Sequence, residues 1–175
     1  MRVFCLCFSQ SQSAFCNLES PRVVVHNPGG KGYCLATKGL TAPGCYVWKF
    51  LILKEFRGNE GTCVGVSVKN PRDTSHRTTT DMWLYRAYSG SLYHGGEVQA
   101  NLPSFTQGDI ITCQLEFGND GERTLSFAKN CGPMLVAFRH DSFRNIPSGA
   151  ELYPAVVFYS QVSQLLIISI LPDTF

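Results

Sequence analysis

The sequence predicts an all-β fold in which two antiparallel sheets stack as a β-sandwich. Three observations carry this expectation. Apolar and β-branched residues recur in short runs with a period of two, bounded by Gly, Pro, Asn and Asp. Aromatics make up 12% of the chain, with 12 Phe and 7 Tyr, beside 16 Gly and 9 Pro to punctuate turns. The runs follow one another at roughly 8–12 residues without a strand–helix alternation, which disfavours a parallel α/β domain.

Residues 1–20, rich in Ser and Gln, are expected to be an N-terminal extension or an extra strand, and residues 21–175 the sandwich. Arg22 to His26 is a compact β-branched run stopped by Asn27-Pro28-Gly29-Gly30, and Gly32 to Thr37 is a second short strand. Cys45 to Phe56 is long and apolar on both faces, as a strand inside a sandwich requires. Thr62 to Val68 sets Val64, Val66 and Val68 on one side and Cys63, Gly65 and Ser67 on the other. Met82 to Tyr88 follows, then a Ser89-Gly90-Ser91 turn and the short strand Leu92 to His94. Ile110 to Phe117 alternates most cleanly, with Ile111, Cys113, Leu115 and Phe117 sharing one face. Gly118 to Gly121 reads as a hairpin turn leading into Thr124 to Lys129, and Met134 to Phe138 gives a further strand. Leu152 to Tyr159 and Gln164 to Leu171 complete the series. Pro154 lacks an N–H, so it belongs at an edge, a strand start or a bulge.

Composition narrows the classes of function. The chain has 175 residues, a length for one domain, and 44% hydrophobic against 16% charged residues is enough apolar material for a core. A net charge of +2 with scattered Lys and Arg offers no phosphate-tracking stripe, so nucleic acid is not an expected partner. The largest local excess, Lys69, Arg72 and Arg77 with His76, is partly offset by Asp73 and Asp81. The longest strongly apolar run, Leu165 to Leu171, is too short to span a bilayer, so no membrane partner is expected. Eight cysteines occur: Cys5, Cys7, Cys16, Cys34, Cys45, Cys63, Cys113 and Cys131. Cys63 and Cys113 lie within strands, where a thiol behaves as a small buried hydrophobe. No Asn-x-Ser/Thr sequon is present and Met1 to Phe8 is too short for a signal-peptide core, which fits a reducing, cytoplasmic or nuclear setting.

A search for reaction chemistry returns negatives. Cys5-x-Cys7 with Cys16 lacks a fourth ligand at a zinc-like spacing. His26, His76, His94 and His140 form no His-x-x-x-His pair. Gly29-Gly30-Lys31-Gly32 lacks the phosphate-loop spacing and precedes a strand rather than a helix. No Gly-x-Ser-x-Gly elbow exists, and Cys131 beside Gly132 shows no partner base. The sequence therefore predicts no enzyme, no cofactor and no metal.

Several segments in order resemble the SPRY domain family. Trp83-Leu84-Tyr85-Arg86-Ala87-Tyr88-Ser89-Gly90-Ser91-Leu92-Tyr93-His94-Gly95-Gly96 is similar to its aromatic strand, Gly turn and Leu-Tyr-His segment. Gly108-Asp109-Ile110-Ile111, Leu125-Ser126-Phe127-Ala128-Lys129-Asn130, Val136-Ala137-Phe138 and Leu152-Tyr153-Pro154-Ala155-Val156 resemble its later strands. Tyr46-Val47-Trp48-Lys49-Phe50 with Val64-Gly65-Val66 resembles the strands before them. The resemblance spans about residues 22 to 171. The Asn130-Cys131-Gly132-Pro133 turn departs from the family's Asn-Gly hairpin, and Gly118 to Arg123 looks extended. Trp48, Phe50, Trp83, Phe127, Phe138 and Phe158 are the rings that sheet-on-sheet packing needs, and they read as core.

The resemblance implies a concanavalin- or jelly-roll-like sandwich that presents loops to a protein or peptide partner, within a chain carrying other domains, such as a ubiquitin ligase. The candidate loops are Asn27 to Gly32, Asn70 to Asp81, Ser89 with Tyr93 nearby, and Cys131 to Leu135. Their candidate partner-binding residues are Asn27, Pro28, Arg72, His76 and Arg77, with Tyr85 or Tyr88 as an aromatic anchor. Two alternatives differ in class: a scaffold domain packed inside a larger protein or channel, which would expose a broad apolar face, and a carbohydrate-binding sandwich, which would show exposed aromatics flanked by carboxylates or a calcium site.

Overall fold

The computed structural model describes residues 6–9, 15–118, 120–159 and 163–169. Among the described residues thirteen strands run in chain order: β1 (Cys16–Ser20), β2 (Val23–His26), β3 (Gly32–Leu35), β4 (Gly44–Lys54), β5 (Thr62–Ser67), β6 (Met82–Arg86), β7 (Ser91–Tyr93), β8 (Glu97–Asn101), β9 (Ile110–Phe117), β10 (Arg123–Lys129), β11 (Leu135–Phe138), β12 (Tyr153–Phe158) and β13 (Ser163–Ser169). They form a seven-stranded sheet in the order β1-β2-β13-β4-β9-β10-β11 and a six-stranded sheet in the order β3-β12-β5-β6-β7-β8, with every pairing antiparallel. The two-sheet sandwich expected from the sequence is the fold observed.

The period-two patterning places one face of each sheet in a common core. Trp48, Phe50, Trp83, Phe127, Phe138 and Phe158 are each no more than 1% exposed, joined there by Val64, Val66, Ile111, Cys113 and Leu115. The family-like segments are tied together physically. Trp83 stacks between His94 (centroids 4.4 Å) and Phe143 (4.7 Å), and its indole N–H donates to the Ser142 carbonyl at 2.9 Å. Asn130, at a φ of 52°, accepts the Ile110 amide through Oδ1 and donates from Nδ2 to Asp109, while Lys129 closes the group with an ion pair to Asp109 at 3.1 Å. Gly65 is required by close approach, because a Cβ there would stand 1.9 Å from the Trp83 carbonyl oxygen.

Several elements differ from the sequence expectation. β8 is an edge strand not expected from the sequence, and β1, also at an edge, falls in the 1–20 stretch expected as an extension or an extra strand; Cys16 lies in the core and Leu18 and Val98 pack against it. Leu6 and Phe8 are buried in the core, and Phe8 bridges to Ala36. β4 stops at Lys54 rather than Phe56, and β6 stops at Arg86, leaving Tyr88 in the following turn. Pro154 is the second residue of β12, just before the ladder with β3 begins at Ala155, so its missing N–H falls at a strand start. A 3₁₀ turn at His140–Phe143 supplies Phe143 to the core. Asn119, in the β9–β10 hairpin, lies outside the described residues, as do the last two residues of the expected strand Gln164 to Leu171.

Candidate partner-binding surface

Strand ends determine where loops gather. Thr62 of β5 lies opposite Phe158, and Phe158 opposite Gly32, so one end of the six-stranded sheet receives the connections 27–31 and 55–61 from the other sheet. Turn 87–90 leaves the neighbouring end of β6, and the Ala87 amide donates to the Thr62 carbonyl at 2.9 Å. Segment 102–109 packs beside them, Leu102 N–H donating to the Gly90 carbonyl and Phe105 N–H to the Ala87 carbonyl. The Glu55 carboxylate stiffens the 55–61 loop by accepting the amides of Phe56, Gly61 and Thr62 at 3.0, 3.3 and 3.1 Å. On this braced frame, Phe56 (49% exposed) and Tyr88 (52%) hold aromatic rings out to solvent. The Arg86 guanidinium lies 5.7 Å from the Tyr88 ring centroid, a cation–π contact.

Segment 68–81 behaves differently from an end loop. It folds over the outward face of the six-stranded sheet, where Cys63, Met82, Leu84, Tyr93 and Val157 form a second apolar cluster with Tyr33 and Tyr159 packed against it. Its base is closed by Arg72, whose backbone N–H, Nε and Nη2 all donate to the Asp81 carboxylate. That pairing holds the Asp81 carboxyl below its usual range. Asp73 organises the next turn by accepting the Ser75 amide and the Thr78 hydroxyl. The far part of the segment is anchored on Tyr159, whose hydroxyl accepts the His76 amide and donates to the Thr74 carbonyl at 2.9 Å.

The candidate residues therefore separate. Pro28, Arg77 and Tyr88 are exposed, and Asn27 is half-buried with its amide donating to the Phe15 carbonyl. Arg72 has an exposed side chain, but its guanidinium is committed to Asp81 at the base of the segment. Two expectations are corrected. Tyr85 is 1% exposed, packed edge-on against Phe105 and Phe127 with its hydroxyl donating to the Pro103 carbonyl, so its ring is core and cannot anchor a partner. Burial also pushes the Tyr85 phenol well above its ordinary range. His76 is 6% exposed, edge-on to Tyr93 (4.8 Å) and Tyr159 (4.0 Å), and it plugs the segment onto the sheet instead of facing solvent. Burial first, then the charges of Arg86, Arg77 and Lys31, lower its imidazole from 6.5 to about 4, so the ring is neutral at neutral pH.

Phe56 and Arg86 were not singled out by sequence. Both sit in runs that read as unbroken strand, and only the strand ends at Lys54 and Arg86 reveal them. The Cys131 to Leu135 segment carries exposed Met134 and Leu135 at the edge strand β11. Cys34, Cys45, Cys63, Cys113 and Cys131 carry free thiols, and among the described residues no cluster of His, Cys, Asp and Glu could hold a metal.

Comparison with known proteins agrees with this architecture. The SPRY domain model matches residues 46–169. The crystal structure of the SPRY domain of human HERC1 is similar at 47% sequence identity and a TM-score of 0.80, covering 96% of this chain and 99% of that one. A second human SPRY domain shares the fold at 22% identity and a TM-score of 0.60, covering 92% of this chain and 96% of that one. SPRY domains are in general protein-interaction modules without catalytic activity of their own. The match covers most of the sandwich and its motifs in order, and the chain belongs to the SPRY domain family.

Proposed function

We propose that this domain binds a partner protein or peptide at the sandwich end built from loops 27–31, 55–61 and 87–90, without catalysing a reaction. The observation that carries the reading is the pair of exposed rings, Phe56 and Tyr88, on loops pinned by Glu55 and by the 102–109 segment. An aromatic side chain already held out from a rigid frame loses little freedom on binding, which is the character of interface hot spots. Arg77 and Pro28 extend the surface. SPRY modules occur in ubiquitin ligases, and recognition of a substrate by such a ligase, in the cytoplasm or nucleus, is the context in which we place this one. Proximity labelling with the wild-type domain against a Phe56→Ala/Tyr88→Ala variant tests the proposal. A set of proteins labelled by wild type and lost in the variant supports it, whereas an unchanged set from a folded variant rejects it.

A second reading, a scaffold domain packed against the rest of a larger chain, is favoured by the β11 edge. Met134 (38%), Leu135 (37%) and Val136 (45%) are exposed in succession there. Self-association of the isolated domain, cured by Val136→Lys, would favour this reading.

A further inference from the structure

The outward face of the six-stranded sheet presents one transverse row, Arg86 on β6, Cys63 on β5, Val157 on β12 and Tyr33 on β3, each opposite the next. Across this row lies His76, with Arg77 exposed beside it. Lys31 Nζ stands 5.5 Å from the centroid of the Tyr159 ring that His76 packs on. Three cations therefore surround one neutral ring. The oxygens of the nearby carboxylates are hydrogen-bonded elsewhere, Asp73 to Ser75 and Thr78, Glu55 to loop amides and Asp81 to Arg72, with the Asp73 charge facing Lys31. Among the described residues neither Arg77 nor Arg86 forms an ion pair, and Arg86 Nε is shielded from water with no hydrogen-bond partner. A desolvated guanidinium N–H without an acceptor is a costly arrangement that an incoming anion would relieve.

We propose that Arg86 and Arg77, framed by Tyr88 and the His76 segment, receive a carboxylate side chain of an acidic partner peptide. This rests on the partner-binding reading above and specifies the chemistry of its ligand. The planar guanidinium matches a carboxylate in two parallel hydrogen bonds, and the rings of Tyr88 and Tyr159 lower the local polarity in which those bonds form. The occupant is peptide rather than nucleic acid because a net charge of +2, with the other Lys and Arg scattered, offers no stripe for a phosphate backbone beyond this spot.

Fluorescence anisotropy with two labelled pools of short degenerate peptides, one with Glu fixed at two central positions and one with Gln, tests the inference. The Glu pool is expected to bind the wild-type domain about tenfold more tightly. That preference should vanish in Arg77→Gln/Arg86→Gln, shrink in Arg77→Gln alone, and survive in Lys69→Gln, which removes an exposed cation elsewhere on the segment. Because Arg77 is exposed, its single variant keeps the test valid should the double variant fold poorly. Binding of the Glu pool should also raise the His76 titration midpoint followed by NMR, since a bound anion offsets the cations that depress it. Equal binding of the two pools, no binding of the Glu pool, or a preference undiminished in Arg77→Gln overturns the inference. Equal binding that is lost in Phe56→Ala/Tyr88→Ala would overturn the acidic specificity while leaving the wider partner-binding reading standing.

Discussion

Arg123 and His76 are both removed from solvent, at 2% and 6% exposure, yet the fold treats them in opposite ways. Arg123 opens β10 beside the 144–149 segment and donates to the carbonyls of Ile146, Pro147 and Ser148 at 3.4, 2.6 and 2.8 Å, with its guanidinium carbon 5.9 Å from the Phe117 ring centroid. A segment with no strand of its own is thereby fixed to the sandwich by one side chain. His76 instead holds the 68–81 segment by shape and ring contacts, and neither ring nitrogen has a hydrogen-bond partner. Burial alone therefore does not distinguish a structural group from a poised one. What distinguishes them is how much of the polar group is satisfied: both terminal nitrogens of Arg123 reach carbonyls and only its Nε lacks a partner, whereas neither nitrogen of the His76 ring has one.

The largest expected effect comes from Arg123→Met, which keeps most of the volume but leaves three carbonyls without their donor. A loss of about 3 kcal/mol in urea unfolding is expected, and a loss under about 1 kcal/mol would show that water replaces the guanidinium freely.

Acid should act on the other region. Unfolded, His76 binds a proton near 6.5, while in the fold it resists protonation until about 4. Between these values the unfolded chain holds the extra proton, so stability falls as pH drops through this window and the contribution is fully present above it. At about pH 5 the cost should be about 2 kcal/mol, and His76→Phe should remove that slope while leaving the rest of the acid profile in place. A slope retained in the variant would assign it to other groups, such as His94, which burial also shifts downward.

At neutral pH, His76→Phe itself should be neutral or stabilising by up to about 1 kcal/mol, because an apolar ring replaces one with two unpartnered nitrogens. Destabilisation in a thermal melt would mean that the imidazole has a partner the comparison with Arg123 overlooks. The smallest effect is expected for Arg72→Ala. The pair with Asp81 is solvent-exposed on the arginine side, so the melting temperature should change little, and less still in high salt.

Much of the scaffold was legible in the chain. Ile110 to Phe117 alternates so regularly that its inward face, Ile111, Cys113, Leu115 and Phe117, is buried throughout, Thr112 being the one buried residue of the other face. The strand that escaped, Glu97–Asn101, is a short edge strand with Val98 packed against the core, too brief a pattern to read, whereas Cys16–Ser20 falls in the stretch read as an extension or an extra strand. The surface was less legible. Arg77 and Tyr88 are exposed, but Tyr85 and His76 carry the same residue chemistry and are buried. Tyr85 could have been separated from Tyr88 by alternation along β6, since it shares the inward side with Trp83. His76 could not, because segment 68–81 has no period to follow.

By itself the sequence determined most of the strands, the inward rings and the family, because period-two patterning and turn residues are local and each fixes its own element. Only the tertiary structure decided which loop side chains face solvent. His76 is covered by Tyr159, 83 residues further along the chain, and Phe56 is uncovered because Glu55 turns back to collect the loop amides. Such contacts depend on which distant segments the closed sheets bring together, and no stretch of sequence contains both halves of them.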